Sequence, residues 1–176
     1  MELLTLMSIP SEPIARVREY AKRHALALVD EFGHGVHGSV FAAESQPEKS
    51  AGLLQWAVKV HKNEADYRRE RDIYLRLEEN DVTQIRGCDV PQLMRFDDEF
   101  LIIEMTAVRR PFLLDFAGAF LDKAPDFSDE VMADWLAEKR EQFGARWPEV
   151  AAILRVLEGF GIHYMDVSPK NISLPE

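Results

Sequence analysis

The carboxyl group of Asp166 and the amide group of Asn171 lie five positions apart in one short segment near the end of the chain. An aspartate in such a loop can orient an attacking hydroxyl group or accept its proton. An asparagine oxygen suits a magnesium ion that bridges phosphates. A surface turn capped by Asp166 would also account for the Ser-Pro pair between them. The pair therefore indicates phosphate chemistry only if other residues of the chain can hold a polyphosphate.

A glycine turn far upstream has the backbone freedom for that task. Gly33, Gly35 and Gly38 let the chain approach a polyphosphate without interference from Cβ atoms. The same glycines also suit an ordinary hairpin. Apolar-rich runs on both sides, at residues 25–31 and 40–43, predict two strands joined by the turn. That order differs from the strand, glycine turn and helix of a dinucleotide-binding fingerprint.

A single cation, Lys59, interrupts the apolar run 53–60, which predicts a third strand. Most strand lysines lie in water on an outer face. The alternative is that Lys59 points beneath the glycine turn and meets phosphate oxygens as a point charge. A lysine in that place needs an acidic partner to hold its long side chain.

The segment 63–80 supplies a candidate partner, Glu70. Apolar residues recur at helical spacing through this segment, and Glu70 lies at the border of the apolar stripe. The helix pattern alone favours exposed pairs between Glu70 and nearby arginines, which contribute a few tenths of a kcal/mol.

Taken together and in this order, the motifs resemble those of the protein-kinase-like family. The resemblance spans nearly the whole chain and implies an α+β fold with a single domain. The implied parts are an antiparallel-sheet N-lobe with a leading helix at about 1–103, a hinge at 104–106, and a reduced helical C-lobe at 107–176. The family also implies ATP and Mg²⁺ as cofactors.

The resemblance assigns a role to each candidate residue. Lys59, Asp166 and Asn171 are the implied catalytic residues, Asn171 also binds metal, and Ile103 is the implied gatekeeper. The implied nucleotide-binding residues are Gly33, Gly35, Gly38, Val40, Ala57, Lys59, Glu70, Glu104 and Thr106.

Several departures from the family pattern point to a small atypical kinase, truncated after the catalytic loop or similar to the RIO type. Tyr164-Met165 replaces the usual His-Arg, so Tyr164 is expected to pack where the histidine does. Ser168 stands where many kinases have a lysine that contacts the transferred phosphate. No Asp-Phe-Gly motif follows Asn171, and in kinases its aspartate binds magnesium.

The missing aspartate leaves several interpretations open. In the first interpretation, the protein transfers the γ-phosphate to a hydroxyl of a small molecule or a protein. An acidic side chain elsewhere in the chain then replaces the missing magnesium-binding aspartate. The second is an impaired pseudokinase that acts as a nucleotide-responsive binding or regulatory module. Two further interpretations are that a protein partner completes the C-lobe and supplies the missing segment, and that the sequence is part of a longer gene product.

Composition excludes other classes of function. The net charge of -10 argues against nucleic acid as a partner. No apolar run approaches the roughly 20 residues that span a bilayer, and the amino terminus lacks a basic leader, which predicts a cytoplasmic protein without membrane contact. The single cysteine, Cys88, excludes an intrachain disulfide. His34 and His37 lack further zinc ligands nearby and are expected to donate to phosphate or face water.

The remaining segments give coarser predictions. A leading helix is expected at 10–24, with Ser11 as its N-cap. A polar loop is expected at 45–52, after the second strand. The apolar run 113–121 predicts a buried helix or a lid on the second lobe. Three aromatic residues spaced four apart are expected to form one stripe in the hydrophobic core: Phe112, Phe116 and Phe120. Two helices follow, one at 126–143 capped by Ser128 and one that starts near Trp147 and ends at Gly159 or Gly161.

Overall fold

The computed structural model describes residues 11–45 and 56–176, which form a mixed α+β fold with mainly antiparallel sheets. The helices in this part are α1 (Pro13–Arg23), α2 (Glu64–Glu79), α3 (Asp129–Phe143) and α4 (Trp147–Gly159). The strands are β1 (Leu26–His34), β2 (Gly38–Ser45), β3 (Trp56–His61), β4 (Gln84–Ile85), β5 (Cys88–Asp89), β6 (Leu93–Asp97), β7 (Ile102–Thr106), β8 (Phe112–Leu113), β9 (Ala119–Leu121), β10 (Ile162–Tyr164) and β11 (Ile172–Ser173).

The largest sheet has five strands in the order β1-β2-β3-β7-β6, each antiparallel to its neighbours. β1 and β2 are longer than predicted and meet at the glycine turn, because pairing continues to His34 and Ser39. The predicted strand at 53–60 is confirmed from Trp56 onward, and its first positions lie outside the described residues. Most of the predicted loop at 45–52 also lies outside them.

Helix α1 covers one face of this sheet. Val17, Tyr20 and Ala21 pack against strand residues such as Val58 and Ile102 in a buried cluster. The predicted N-cap at Ser11 is wrong: the helix begins at Pro13, and Glu12 occupies the cap without a side-chain hydrogen bond. Proline at the first helical position has φ already set for a helix and lacks the N–H that a cap would satisfy.

Helix α2 packs on the opposite face, and its existence confirms the helix that the apolar periodicity predicted. Asn63 caps it, since its side chain accepts a hydrogen bond of 2.9 Å from the backbone N–H of Asp66. Its buried stripe joins the larger of two apolar clusters: Tyr67, Ile73, Tyr74 and Leu77.

The run 113–121 is not a helix, so that prediction is wrong. It forms β8, a turn and β9, and both strands pair with segments near the end of the chain. Leu113 lies opposite Ile172, and Ala119 lies opposite Tyr164. These distant pairings override the local helical pattern. Phe116 is fully buried, whereas Phe112 and Phe120 are half-buried on other faces, so the three do not form one stripe.

The last two helices lead the chain to the loop that carries Asp166. Ser128 caps α3 as predicted, and its Oγ accepts a hydrogen bond of 3.3 Å from the N–H of Val131. Helix α4 buries Val150, Ile153 and Leu157, and a left-handed Gly161 (φ 76°) turns the chain into β10. In the described part of the chain, no helix has the length and apolar character to cross a membrane.

Candidate active site

A cleft of about 690 Å³ separates the five-stranded sheet from the segments that follow it, within the 300–1,000 Å³ typical of small-molecule sites. Ten of the eleven residues predicted for the site line this cleft: Gly33, Gly35, Gly38, Val40, Ala57, Lys59, Glu70, Thr106, Asp166 and Asn171. Glu104 is the exception. The structure thus brings together three motifs that are far apart in sequence.

Lys59 and Glu70 form a buried ion pair at the base of the cleft. The Lys59 Nζ lies 2.7 Å from Glu70 Oε2, and the two side chains are 4% and 1% exposed. His61 also contacts Oε2 through Nε2 at 2.6 Å. Burial alone would raise the pKa of Glu70, but Lys59 and His61 lower it to about 2. The exposed pairs that the helix pattern alone favoured for Glu70 are therefore excluded, and Lys59 has the acidic partner that was expected for it instead of lying in water.

Asp115 is a second acidic partner of Lys59, and the sequence reasoning missed it. Its Oδ1 accepts a hydrogen bond of 2.8 Å from Lys59 Nζ, and its side chain is one-third exposed to the cleft. Burial alone would lower the pKa of Lys59, but Glu70 and Asp115 together raise it. The ammonium group is thus held charged and in place between two carboxylates.

Asp115 occupies the turn between β8 and β9 with φ of 60°, a left-handed conformation that aspartate tolerates better than most residues. A hydrogen bond from the Leu114 N–H to the Asn171 carbonyl, 2.8 Å long, ties this turn to the end of the Asp166 loop. The hydroxyl group of Tyr164 donates to the Leu114 carbonyl at 2.5 Å. The turn and the loop therefore form one rigid unit.

Within the loop, Asn171 fixes the position of Asp166. Its Nδ2 donates to the Asp166 carbonyl at 2.9 Å and to the carboxylate Oδ2 at 3.1 Å. Gly118 packs directly against Asp166 from the β8–β9 turn, since a Cβ added at Gly118 would lie 2.9 Å from the Asp166 Cβ. Only glycine fits at this position without a shift of the carboxylate.

The three glycines of the upstream turn serve different purposes. A Cβ on Gly38 would lie 2.1 Å from the Val60 carbonyl, so the close approach of β2 to β3 requires glycine there. Added Cβ atoms at Gly33 and Gly35 would meet nothing within 4 Å among the described residues. Packing therefore gives no reason for glycine at 33 and 35, and both line the open cleft.

The predicted hinge at 104–106 lies within a strand and is wrong in position. β7 continues to Thr106, and Glu104 sits in the ladder between β3 and β6. The Glu104 side chain faces α1, where it accepts hydrogen bonds from the Tyr20 hydroxyl at 2.9 Å and from Arg95 at 3.1 Å. The side chain of Glu104 thus belongs to the packing of α1 and not to the cleft.

The cleft is instead bordered by Met105 and the segment 106–108. Met105 lies opposite Ala57, whereas Ile103 lies opposite Lys59 in the buried core and does not line the cleft. The Thr106 N–H donates to the Gln92 carbonyl at 2.9 Å. Met105, and not Ile103, therefore lies at the border of the cleft.

Three aromatic rings connect α2 to the Asp166 loop. Phe116 packs against Tyr74 and against Tyr164, each with ring centroids 5.5 Å apart. All three side chains are buried. Tyr164 thus packs next to the residue that follows Asp115.

Two side chains that line the cleft, Asp115 and Asn171, have oxygen atoms of the kind that bind a metal ion. Hydrogen bonds to Asp115 from the described residues reach only Oδ1, which leaves Oδ2 for a ligand. The Asn171 Nδ2 is directed to Asp166, so its amide oxygen remains. No group of three or more His, Cys, Asp or Glu side chains in the described residues could hold a metal alone. Magnesium commonly uses one or two protein oxygens together with phosphates and water.

Comparisons with known proteins give no family for this chain. No protein-family model matches it, and no curated protein matches its sequence.

A sequence signal for Asp115 was present but lay in an unexpected place. Asp115-Phe116-Ala117-Gly118 differs from Asp-Phe-Gly by one inserted residue, and it precedes the Asp166 loop. The family pattern places an Asp-Phe-Gly motif after Asn171, where this sequence has none. The apolar run 113–121 was predicted to be a helix, and a helix has no turn at Asp115.

Proposed function

We propose that this protein is an ATP-dependent phosphotransferase with a protein-kinase-like fold, and that it transfers a phosphoryl group to a hydroxyl of a small molecule or a protein. The observation that carries the proposal is the position of Asp115. Its carboxylate contacts Lys59 in the same cleft that contains Asp166 and Asn171.

The arrangement of segments supports the comparison with kinases. The β8 and β9 strands flank Asp115, and they pair with β11 and β10, which flank the Asp166 loop. In the family pattern, the Asp-Phe-Gly segment follows the catalytic loop. Here a similar segment precedes it in the chain and still lies beside it in space. The metal-binding aspartate therefore does not have to come from a second chain.

Each residue of the proposed site has a distinct task. Lys59, held by Glu70 and Asp115, provides a fixed positive charge for phosphate oxygens, while Gly33 and Gly35 let the turn lie close to them. Asp115 and Asn171 would hold Mg²⁺, which neutralises phosphate charge when bound. Asp166 orients the acceptor hydroxyl and takes its proton.

The pseudokinase interpretation was based on the absence of an aspartate after Asn171. Asp115 lies beside Lys59 and gives the site a carboxylate, so the absence of an aspartate after Asn171 no longer favours a pseudokinase. The binding-module alternative then has no specific observation in its favour, and it becomes an outcome of the test below.

The test is ADP formation from Mg-ATP by the purified chain, with and without a mixture of hydroxyl-bearing small molecules and proteins. Removal of a proton acceptor typically lowers the rate by 10²–10⁴-fold, so we expect Asp166→Asn to lower ADP formation at least about 100-fold while ATP still binds. Asp126→Asn, at an exposed site outside the cleft, is the control. ATP binding without ADP formation by the parent would favour the pseudokinase. Equal rates for the parent and Asp166→Asn would exclude Asp166 from the reaction.

A further inference from the structure

His37 lies at the tip of the glycine turn, and a carboxylate on another element holds its ring. Its Nδ1 is 2.8 Å from Oδ2 of Asp66, in the first turn of α2. The two side chains are 24% and 10% exposed, so the pair is partly shielded from water. Such a contact fixes the orientation of an imidazole and determines which nitrogen it presents elsewhere.

Asp66 is itself held in place. Asn63 donates to the same carboxylate at 2.9 Å, and Arg69 donates to its other oxygen. Burial alone would raise the pKa of Asp66, but hydrogen bonds from His37 and Asn63 lower it. The carboxylate is therefore an acceptor at neutral pH, and the Nδ1–H of His37 is the donor.

The other nitrogen of His37 faces the Asp166 end of the cleft. Nε2 lies 3.7 Å from the point where a Cβ on Gly118 would be, and that point is 2.9 Å from the Asp166 Cβ. His37, Gly118 and Asp166 thus converge at one place, although they come from three separate segments.

The backbone of the turn is secured to β3, which limits how far His37 can move. The Lys62 N–H donates to the His37 carbonyl at 2.9 Å, and the Lys62 Nζ donates to the Gly35 carbonyl at 2.6 Å. The ring is thus anchored through both its side chain and its backbone.

We infer that His37 binds the terminal phosphate of ATP through Nε2 and that Asp66 positions it for this contact. The inference rests on the proposed function. In this contact the ring donates one hydrogen bond from each nitrogen, from Nδ1–H to Asp66 and from Nε2–H to the phosphate. His37 would then supply, from the glycine turn, the phosphate contact that a lysine in place of Ser168 makes in many kinases.

One other cation could take this role. Lys170 also lines the cleft, two positions after Ser168, but it is exposed and belongs to the loop itself. Lys170→Ala therefore serves as a competing variant. His163→Ala is the control, since His163 is a histidine of β10 that lies outside the cleft.

The experiment measures dissociation constants for ATP and for ADP, in the presence of Mg²⁺, by calorimetric titration of each variant. A lost charge-assisted hydrogen bond to the terminal phosphate should weaken ATP binding about tenfold or more and change ADP binding less than about twofold. We expect this split for His37→Ala, a smaller split for Asp66→Asn, and none for His163→Ala. His37→Gln, which keeps one donor, should recover part of the ATP affinity.

The outcomes separate the two proposals. No binding of either nucleotide by the parent would reject the proposed function itself. If the parent binds both, equal effects of His37→Ala on ATP and ADP, or no effect, would reject the role of His37. A split for Lys170→Ala in place of His37→Ala would also reject it and assign the contact to the loop.

Discussion

The ammonium nitrogen of Lys59 lies 2.8 Å from a carboxylate oxygen of Asp115, although the two residues are 56 positions apart in the chain. This contact places an acidic residue at the point where the proposed phosphate site needs one. The four side chains that the proposed reaction requires are Lys59, Asp115, Asp166 and Asn171, and they all line one cleft.

The ion pair between Lys59 and Glu70 should contribute strongly to stability, because both side chains are buried. Removal of one partner from a buried pair typically costs 3–5 kcal/mol. We expect Glu70→Gln to lower the free energy of unfolding by about 3 kcal/mol, since Asp115 still pairs with Lys59. Glu79→Gln, at the exposed end of the same helix, should change it by less than about 0.5 kcal/mol. Urea denaturation measures both, and equal stabilities would contradict the buried pair.

The same carboxylate should make the protein sensitive to acid. The pKa of Glu70 falls from 4.5 to about 2 on folding, so its contribution is complete above about pH 4.5 and is lost as the pH falls toward 2. The full difference corresponds to about 3 kcal/mol. Urea midpoints measured between pH 6 and pH 3 should fall more steeply for the parent than for Glu70→Gln. Parallel curves would show that Glu70 does not cause the acid sensitivity.

Replacement of Lys59 should affect the fold as well as the site. The sequence indicated a partly exposed lysine whose loss costs little, but the side chain is only 4% exposed and pairs with two carboxylates. We expect Lys59→Ala to destabilise the protein by about 3 kcal/mol or more. Lys22→Ala, on the exposed face of α1, should cost less than about 0.5 kcal/mol. Similar unfolding free energies for these two variants would contradict the buried position of Lys59.

Gly118 offers a test of how Asp166 is positioned. An added methyl group would lie 2.9 Å from the Asp166 Cβ and must displace it. A misplacement of about 1 Å can reduce a rate by about 100-fold. We expect Gly118→Ala to lower ADP formation at least about tenfold with nucleotide binding retained. Gly159→Ala is the control, since an added Cβ there meets nothing within 4 Å of the described residues. Unchanged ADP formation by Gly118→Ala would contradict the proposed contact.

The sequence predicted several elements in both halves of the fold because their signals are local. The α2 periodicity, the strands on both sides of the glycine turn and the Ser128 cap each depend on residues close together in the chain. The prediction failed at 113–121 because the pairing partners of that run are Ile162–Tyr164 and Ile172–Ser173, about fifty residues away. No local pattern shows such pairing.

The candidate site was predicted in part for the same reason. Motifs in the sequence identified ten of the residues that line the cleft, but not Asp115. The motif that contains Asp115 comes before the Asp166 loop in the chain, although the two lie side by side in the structure. The burial of Lys59 and Glu70 could not be inferred either. The sequence around a strand lysine or a glutamate at the border of a helix stripe is the same whether the side chain faces water or a buried partner. The position of Glu104 depends on Tyr20 and Arg95, which only the folded structure brings to it.

The most direct test of the account is the thermal unfolding midpoint of the parent, Asp115→Asn and Asp122→Asn, each with ATP and with or without magnesium. Asp122 is a matched control because it also has φ of 60° but lies on the surface, paired with Arg76. A ligand at about 100 times its dissociation constant adds roughly 2.7 kcal/mol of stability. We expect magnesium to increase the ATP-dependent shift in the parent and in Asp122→Asn, and to add nothing in Asp115→Asn. No shift with ATP in the parent, or an equal magnesium effect in Asp115→Asn, would contradict the proposed site.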